Sequence, residues 1–138
     1  MGALPRLPKF LAWFAIINGI SSIAMPGVVP YLTGQLVSAS GIALLVVLGV
    51  ASLVSGVYGL RAQPWAFLLL LVTFFVQVAE YRSESLFLSL IGPISLKFGW
   101  GWNSPPSWFN INVLAIVICV LAARAIYQLT PDPEVRDA

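Results

Sequence analysis

Charged side chains are scarce in this chain, and their scarcity limits the folds open to it more than any other feature. Among 138 residues there are seven Lys and Arg and five Asp and Glu, or 9% charged against 59% hydrophobic. A soluble domain carries about 25% charged residues. The composition therefore excludes a free-standing soluble domain and a disordered chain. A net charge of +2 supplies no basic patch for nucleic acid. We expect an integral membrane protein.

Four apolar segments are long enough to cross a hydrocarbon core of about 30 Å, which takes about 20 helical residues. They cover residues 10–29, 37–60, 65–82 and 107–128. Pro26 and Pro30 are expected to bend or end the first segment. The four residues 61–64 join the second and third as an antiparallel hairpin, and Pro64 suits a helix start. The sequence predicts an all-α protein in which residues 1–138 form a single antiparallel bundle of four transmembrane helices.

The distribution of Lys and Arg predicts that both termini lie in the cytoplasm, because cytoplasmic segments near span ends are enriched in these residues. This orientation puts five of them inside, namely Arg6, Lys9, Arg61, Arg124 and Arg136, and Arg82 and Lys97 outside. We therefore expect a multi-pass protein of the cell membrane, with residues 129–138 as a cytoplasmic tail. An alternative treats the first segment as a secretory signal that is cleaved after Ser22-Ile23-Ala24 and leaves three spans.

The residues that most enzymes depend on are missing or isolated. The chain has no histidine, and its single cysteine, Cys119, lies in the last apolar segment. General-base catalysis at neutral pH, thiol chemistry and transition-metal binding commonly need these side chains. We expect a non-enzymatic protein without a cofactor or a metal.

Small residues recur at helical spacing along the first two segments. Helices in a bilayer associate through such residues, which allow close backbone approach, either within one chain or against a partner. The candidate packing residues are Gly19, Gly49, Ser52, Gly56 and Gly59.

A group of polar residues is expected at one depth in the outer half of the bilayer. If the third helix continues without a break from Trp65, Gln77 lies about 18 Å and Glu80 about 22 Å above it. Ser22 and Asn112 fall at about the same height, with Asn18 somewhat deeper. The candidate ligand or ion site is Glu80, Gln77, Asn18, Asn112 and Ser22. Alternatively, residues 80–84 mark where the helix leaves the membrane.

The connection over residues 83–106 is apolar although it is expected outside. Residues 94–102 alternate between large apolar and small or polar side chains, which favours a strand. We expect a short β-hairpin with residues 85–90, or alternatively a third helix prolonged along the interface. Such a surface should contact headgroups, cap the bundle or bind a partner. The candidate residues are Phe98, Trp100, Trp102, Trp108 and Arg82.

One segment resembles a known kind of protein. From Gly56 to Ala66 the sequence reads GVYGLRAQPWA. It resembles the turn of small uncharacterised prokaryotic four-span membrane proteins, in which a glycine-rich second span ends in a basic turn and Pro-Trp-Ala opens the third. The resemblance implies four spans and no activity.

These features predict an accessory or scaffold subunit of a membrane complex, or a self-associating bundle. Its partners would be membrane lipids together with a membrane protein or a second copy. The alternative is a carrier or binding protein for a lipid or a small lipophilic or cationic molecule, with the polar cluster around Glu80 as its site.

Overall fold

The chain folds into four helices and a small sheet, in a computed structural model that describes residues 4–33, 39–83, 87–88, 94–103 and 106–130. The helices are α1 (Arg6–Thr33), α2 (Ala39–Gly59), α3 (Pro64–Phe75) and α4 (Val113–Leu129). The strands are β1 (Ala79–Ser83), β2 (Phe87–Leu88), β3 (Lys97–Asn103) and β4 (Pro106–Asn112). The expected all-α fold is therefore wrong in one respect, because an antiparallel sheet joins the helices.

The hydrophobic core lies where α1, α3 and α4 meet. Large side chains of α3, such as Phe67 and Phe74, are opposed by small residues of α4, such as Ala115 and Ala122. The alternation of large and small side chains allows the helices to interdigitate without voids. The remaining core residues are Leu11, Ala15, Leu70, Ile118 and Ala125.

The contact between α1 and α2 is a direct approach of two backbones. A Cβ atom added to Gly19 would lie 2.7 Å from the Gly49 carbonyl oxygen, and one added to Gly56 would lie 2.7 Å from the Ala12 carbonyl oxygen. No side chain fits at either position, because backbone atoms cannot move aside as a flexible side chain can. Four of the predicted packing residues thus lie between α1 and α2, and Gly59 lies against Ala12 and Phe67.

The first helix is longer than predicted and passes through both of its prolines. It ends at Thr33, beyond Pro26 and Pro30. Each proline removes one N–H bond from the helix and crowds the preceding turn, yet the helix continues for three residues beyond Pro30.

The third helix is shorter than predicted and ends at Phe75 instead of residue 82. Its last turn tightens, with Gln77 N–H donating to the Phe74 carbonyl (3.0 Å) and Val78 N–H to the Phe75 carbonyl (3.2 Å). The Gln77 side chain donates to the Thr73 carbonyl (2.9 Å), an oxygen that would otherwise accept from the next turn. After a turn over residues 76–78 the chain continues as β1, which is paired with β4.

The fourth helix begins at Val113 instead of residue 107, because the preceding seven residues form β4. Asn112 caps the helix in an extended conformation, and its Oδ1 accepts from Ala115 N–H (3.3 Å) and Leu96 N–H (3.2 Å). Its own N–H donates to the Val78 carbonyl (2.8 Å). This residue therefore ties the start of α4 to the end of α3.

The sheet has the strand order β2-β1-β4-β3, and every neighbouring pair is antiparallel. The strand predicted over residues 94–102 is confirmed in part, because β3 covers Lys97–Asn103 and residues 94–96 are not in a strand. Its predicted hairpin partner is wrong, because β3 pairs with β4 while β2 pairs with β1. The rest of the predicted 83–106 loop and of the 129–138 tail lies largely outside the described residues.

Two helices, α1 and α2, are long and apolar enough to cross a membrane, while α3 and α4 are shorter apolar helices of 12 and 17 residues. These two candidate spans agree with a membrane location. The core helix of a soluble protein and an N-terminal signal sequence meet the same criteria.

Candidate functional site

The sheet gathers a charged network on one of its faces, centred on Glu80. In the register of the strands, Glu80 of β1 lies opposite Asn110 of β4, which lies opposite Gly99 of β3. Glu80 Oε2 accepts from Asn110 Nδ2 at 3.1 Å and lies 3.3 Å from Lys97 Nζ. The glutamate is 8% exposed. A buried carboxylate with a cation and an amide donor is compensated within the protein.

Two glycines of β3 make room for side chains of β4 on the same face as this network. A Cβ atom at Gly99 would overlap the Asn110 side chain, and one at Gly101 would lie 2.7 Å from the Trp108 ring. Side chains of β4 therefore lie across β3 on this face. We call it the polar face, formed by Glu80, Lys97, Asn110 and Asn112.

The opposite face of the sheet is aromatic and exposed. Phe98, Trp100 and Trp102 alternate with the glycines on β3 and are 58%, 59% and 54% exposed. The register aligns Trp100 with Phe109 of β4 and Tyr81 of β1, and residues opposite one another share a face. We call this side the aromatic face. Of the other predicted loop residues, Trp108 belongs to the polar side, and Arg82 lies opposite Trp108 in register.

A second polar group lies between α1 and α2, away from the sheet residues. Asn18 Nδ2 donates to Ser52 Oγ at 3.1 Å, and both side chains are buried. Asn18 Oδ1, Ser22 Oγ and Ser55 Oγ are buried without a hydrogen-bond partner. Sequence reasoning missed Ser55, although its three-residue spacing from Ser52 gives both the same helix face.

The two remaining predicted site residues stabilise chain junctions. Gln77 bonds the end of α3, and Asn112 caps α4. The Nδ2 atom of Asn112 is buried without a partner. The five predicted residues thus divide among the sheet, the α1–α2 contact and the junctions. Sequence reasoning also missed Lys97 and Asn110 as partners of Glu80, since that pairing requires β1 to be a strand.

No group of three or more His, Cys, Asp or Glu side chains that could hold a metal occurs among the described residues. Cys119 lies in α4, with its Sγ 3.6 Å from the Leu71 carbonyl. The arrangement offers a compensated carboxylate and an exposed aromatic surface.

No protein-family model, curated protein or solved structure matches this chain. Its geometry therefore carries the functional argument.

Proposed function

We propose that this chain is a non-enzymatic, four-span protein of the cell membrane that serves as an accessory or scaffold subunit. The outer edge of β3 would bind a segment of a membrane-protein partner by strand addition. The single observation that carries this proposal is the position of β3. Among the strands that the structure describes it is the last of the sheet, all seven of its residues are exposed, and β4 is its described partner.

An open strand edge favours pairing with another chain. It offers a row of backbone N–H and C=O groups, and proteins that avoid such pairing protect their edges with charged side chains, prolines, bulges or very short strands. β3 has seven residues and no proline, and its one charged residue, Lys97, is paired with Glu80. Extended segments add to such edges through main-chain hydrogen bonds, while alternate side chains provide specificity.

The outer surface of the short helices supports four spans. On α3, Leu68, Val72 and Phe75 are exposed at helical spacing, and on α4 so are Val117 and Val120. A soluble protein rarely exposes apolar surface in such contiguous stripes. Exposure of these apolar stripes to water would be unfavourable, whereas their contact with lipid tails is not.

The test is site-specific photo-crosslinking in native membranes. A photoreactive residue replaces Phe98 in β3 or, as a matched exposed control, Tyr127 near the end of α4. We expect a discrete crosslinked product, a partner subunit or a second copy, from position 98 and none from position 127. A protein that forms no crosslinks from β3 and runs as a detergent monomer would contradict the proposal.

A proline scan of residues 97–103 then tests strand addition itself. Along β3, successive N–H groups point alternately toward β4 and toward the free edge. Proline at an outward-facing N–H is tolerated on an edge strand but removes a bond to an added strand. We expect alternate positions to lose the crosslink. Unchanged thermal stability is expected at Asn103→Pro, because Gly99 and Gly101 accept no Cβ atom and Lys97 forms the ion pair with Glu80. Loss of the crosslink without this alternation would exclude strand addition.

A second candidate function is a carrier or binding protein for a small lipophilic or cationic molecule. The unpartnered Asn18 Oδ1 and Ser22 Oγ favour it, since buried polar atoms without partners are costly. The ion pair of Glu80 with Lys97 counts against it, because the carboxylate already has a cation. Binding of tetraphenylphosphonium that is lost in Asn18→Leu and retained in Glu80→Gln would favour a site at α1 and α2.

A further inference from the structure

The two faces of the sheet are inverted relative to those of a soluble protein. A half-buried sheet normally covers its apolar face and exposes its polar one. Here Glu80 and Asn112 are buried, whereas Phe98 and Trp100 are more than half exposed. An apolar-out, polar-in alternation is typical of strands that face lipid.

The length of α3 explains how a sheet could reach lipid. The inner boundary lies near the α2–α3 turn, where Tyr58 and Trp65 rings are 4.9 Å apart and the Arg61 guanidinium lies 5.3 Å from the Tyr58 ring. From there, the 12 residues of α3 rise about 18 Å. This is about 12 Å short of the far side of a hydrocarbon core about 30 Å thick. The strands that follow α3 and precede α4 must complete the crossing.

On the aromatic face, residues that lie opposite one another form rows across the strands. The composition of these rows changes from the end nearest the helices to the other end, in the order expected for a crossing from acyl chains to headgroups. The row nearest the helices contains Ala79, Ile111 and Phe98, which are all apolar. The next row contains Tyr81, Phe109 and Trp100. In the row beyond it, Trp102 of β3 is exposed and Ser107 of β4, which lies opposite it, is buried. The exposed side chains therefore run from apolar Phe98 to the amphipathic rings of Tyr81, Trp100 and Trp102, which is the order from acyl chains to the headgroup boundary of a bilayer.

We propose that the outer sheet is embedded in the outer leaflet, with its aromatic face against lipid. Phe98 contacts acyl chains, Trp100 lies at the boundary of the acyl chains and the headgroups, and Trp102 lies among the headgroups. The partner of this face is the lipid surface, and the proposal rests on the four-span topology proposed above. The backbone edge of β3 stays available to the protein partner. A strand added there would place its own side chains beside Phe98 on the same face, so a photoreactive residue at position 98 reaches the partner as well as lipid.

The ion pair of the polar face fits this depth. Lys97 lies opposite Asn112, at the end of the sheet nearest the helices, where an isolated charge would be costly. Its contact with Glu80 makes the two charges a neutral unit. At the opposite end of β4 the exposure is different, because Ser107 on the aromatic side is buried and Trp108 on the polar side is exposed. An exposed tryptophan on the polar side agrees with an interfacial position for this end of the sheet.

The experiment measures the depth of single tryptophans. One variant retains Trp100 and the other retains Trp65, with the remaining four tryptophans replaced by phenylalanine. Each is reconstituted into phosphatidylcholine vesicles that carry bromine at positions 6 and 7 of the acyl chain. We expect both tryptophans to lose roughly half of their emission to the brominated lipid, as interfacial indoles do. Both should resist aqueous iodide.

The Trp65 variant separates the two proposals. If Trp65 is quenched by brominated lipid while Trp100 is quenched by iodide alone, the sheet stands in water and the embedding is wrong although the spans are right. If neither responds to brominated lipid, the proposed membrane topology fails. Trp100 shielded from both quenchers would show that protein covers the aromatic face, which also overturns the embedding. In the wild type, Trp100→Phe should reduce the quenched emission without a change in thermal stability.

Discussion

Asn110 is the residue on which the polar face depends. Its side chain lies across Gly99 of β3 and donates to Glu80 of β1, so it connects three strands. Gly99, the residue opposite Asn110, has no room for a Cβ atom, although its backbone conformation does not require glycine. Glycine is needed there because the Asn110 side chain occupies the space in which a Cβ atom would lie.

We predict that Gly99→Ala destabilises the protein by about 1–3 kcal/mol, as overpacking at a tight site does. The added methyl group would displace Asn110 and leave the Glu80 carboxylate with one donor fewer. Thermal unfolding in detergent measures the effect. Gly27→Ala is the control, because its Cβ would meet nothing within 4 Å. An equal loss of stability in both variants would contradict the role given to Asn110.

The ion pair between Glu80 and Lys97 gives a second residue-level prediction. Lys97→Met leaves a buried carboxylate with a weaker set of partners and should cost about 1 kcal/mol, since the lysine side chain is 40% exposed and water screens part of the attraction. The double variant Lys97→Met/Glu80→Gln should regain most of that loss, because no uncompensated charge remains. A double-mutant cycle of thermal unfolding measures the coupling. Additive effects would show that the two charges do not interact.

At the scale of elements, the α1–α2 contact is a close one, since the backbone of one helix meets that of the other at Gly19 and Gly56. Gly19→Ala or Gly56→Ala should force the two helices apart and cost about 1–3 kcal/mol. Gly27→Ala, on the same helix as Gly19, should be neutral or stabilising by up to about 1 kcal/mol through its helix propensity. Unfolding monitored by circular dichroism in bicelles measures all three. Wild-type stability in Gly19→Ala would contradict the close approach.

The hydrophobic length of the four segments predicts that helices form there, but it does not predict where α3 ends or where α4 begins. Residues 65–82 and 107–128 are apolar enough to read as continuous helices, because apolarity is the same whether lipid meets a helix or a strand. The local signals are weaker: β-branched residues near Val76 and a capping asparagine at position 112. Extended backbone there depends on the ladder between β1 and β4, and such long-range pairing leaves little mark on either segment alone.

The dependence on long-range strand pairing also explains which residues of the candidate site could be predicted from the sequence. Asn18 and Ser22 could be predicted as candidate site residues from their estimated depth along the first helix. The partners of Glu80 could not, because a helical residue 80 and a strand residue 80 have different neighbours. Lys97 and Asn110 are 17 and 30 positions away in the chain, and the strand register alone brings them to one carboxylate.

At the scale of the whole molecule, a topology of four spans and one of two spans differ in the location of the α2–α3 turn and the far end of the sheet. The two lie on opposite sides of the membrane with four spans and on the same side with two. If α1 and α2 alone crossed the membrane, everything after α2 would lie on one side, including Ala62 in the α2–α3 turn and Asn103 at the end of β3. With four spans, the two residues lie on opposite sides. Both are exposed, so a thiol placed at either position is accessible to reagent on its own side.

We therefore predict opposite labelling of Ala62→Cys and Asn103→Cys, each made with Cys119→Ala so that it carries a single thiol. A membrane-impermeant maleimide added to intact cells should label the thiol at position 103, and the thiol at position 62 only after lysis. The direction follows from the proposed orientation, in which Arg61 beside the α2–α3 turn and Arg6 and Lys9 at the start of α1 lie on the cytoplasmic side. Labelling of both positions from the same side would leave two spans. The outer sheet would then lie outside the bilayer with its tryptophans in water, where their exposure has no physical compensation.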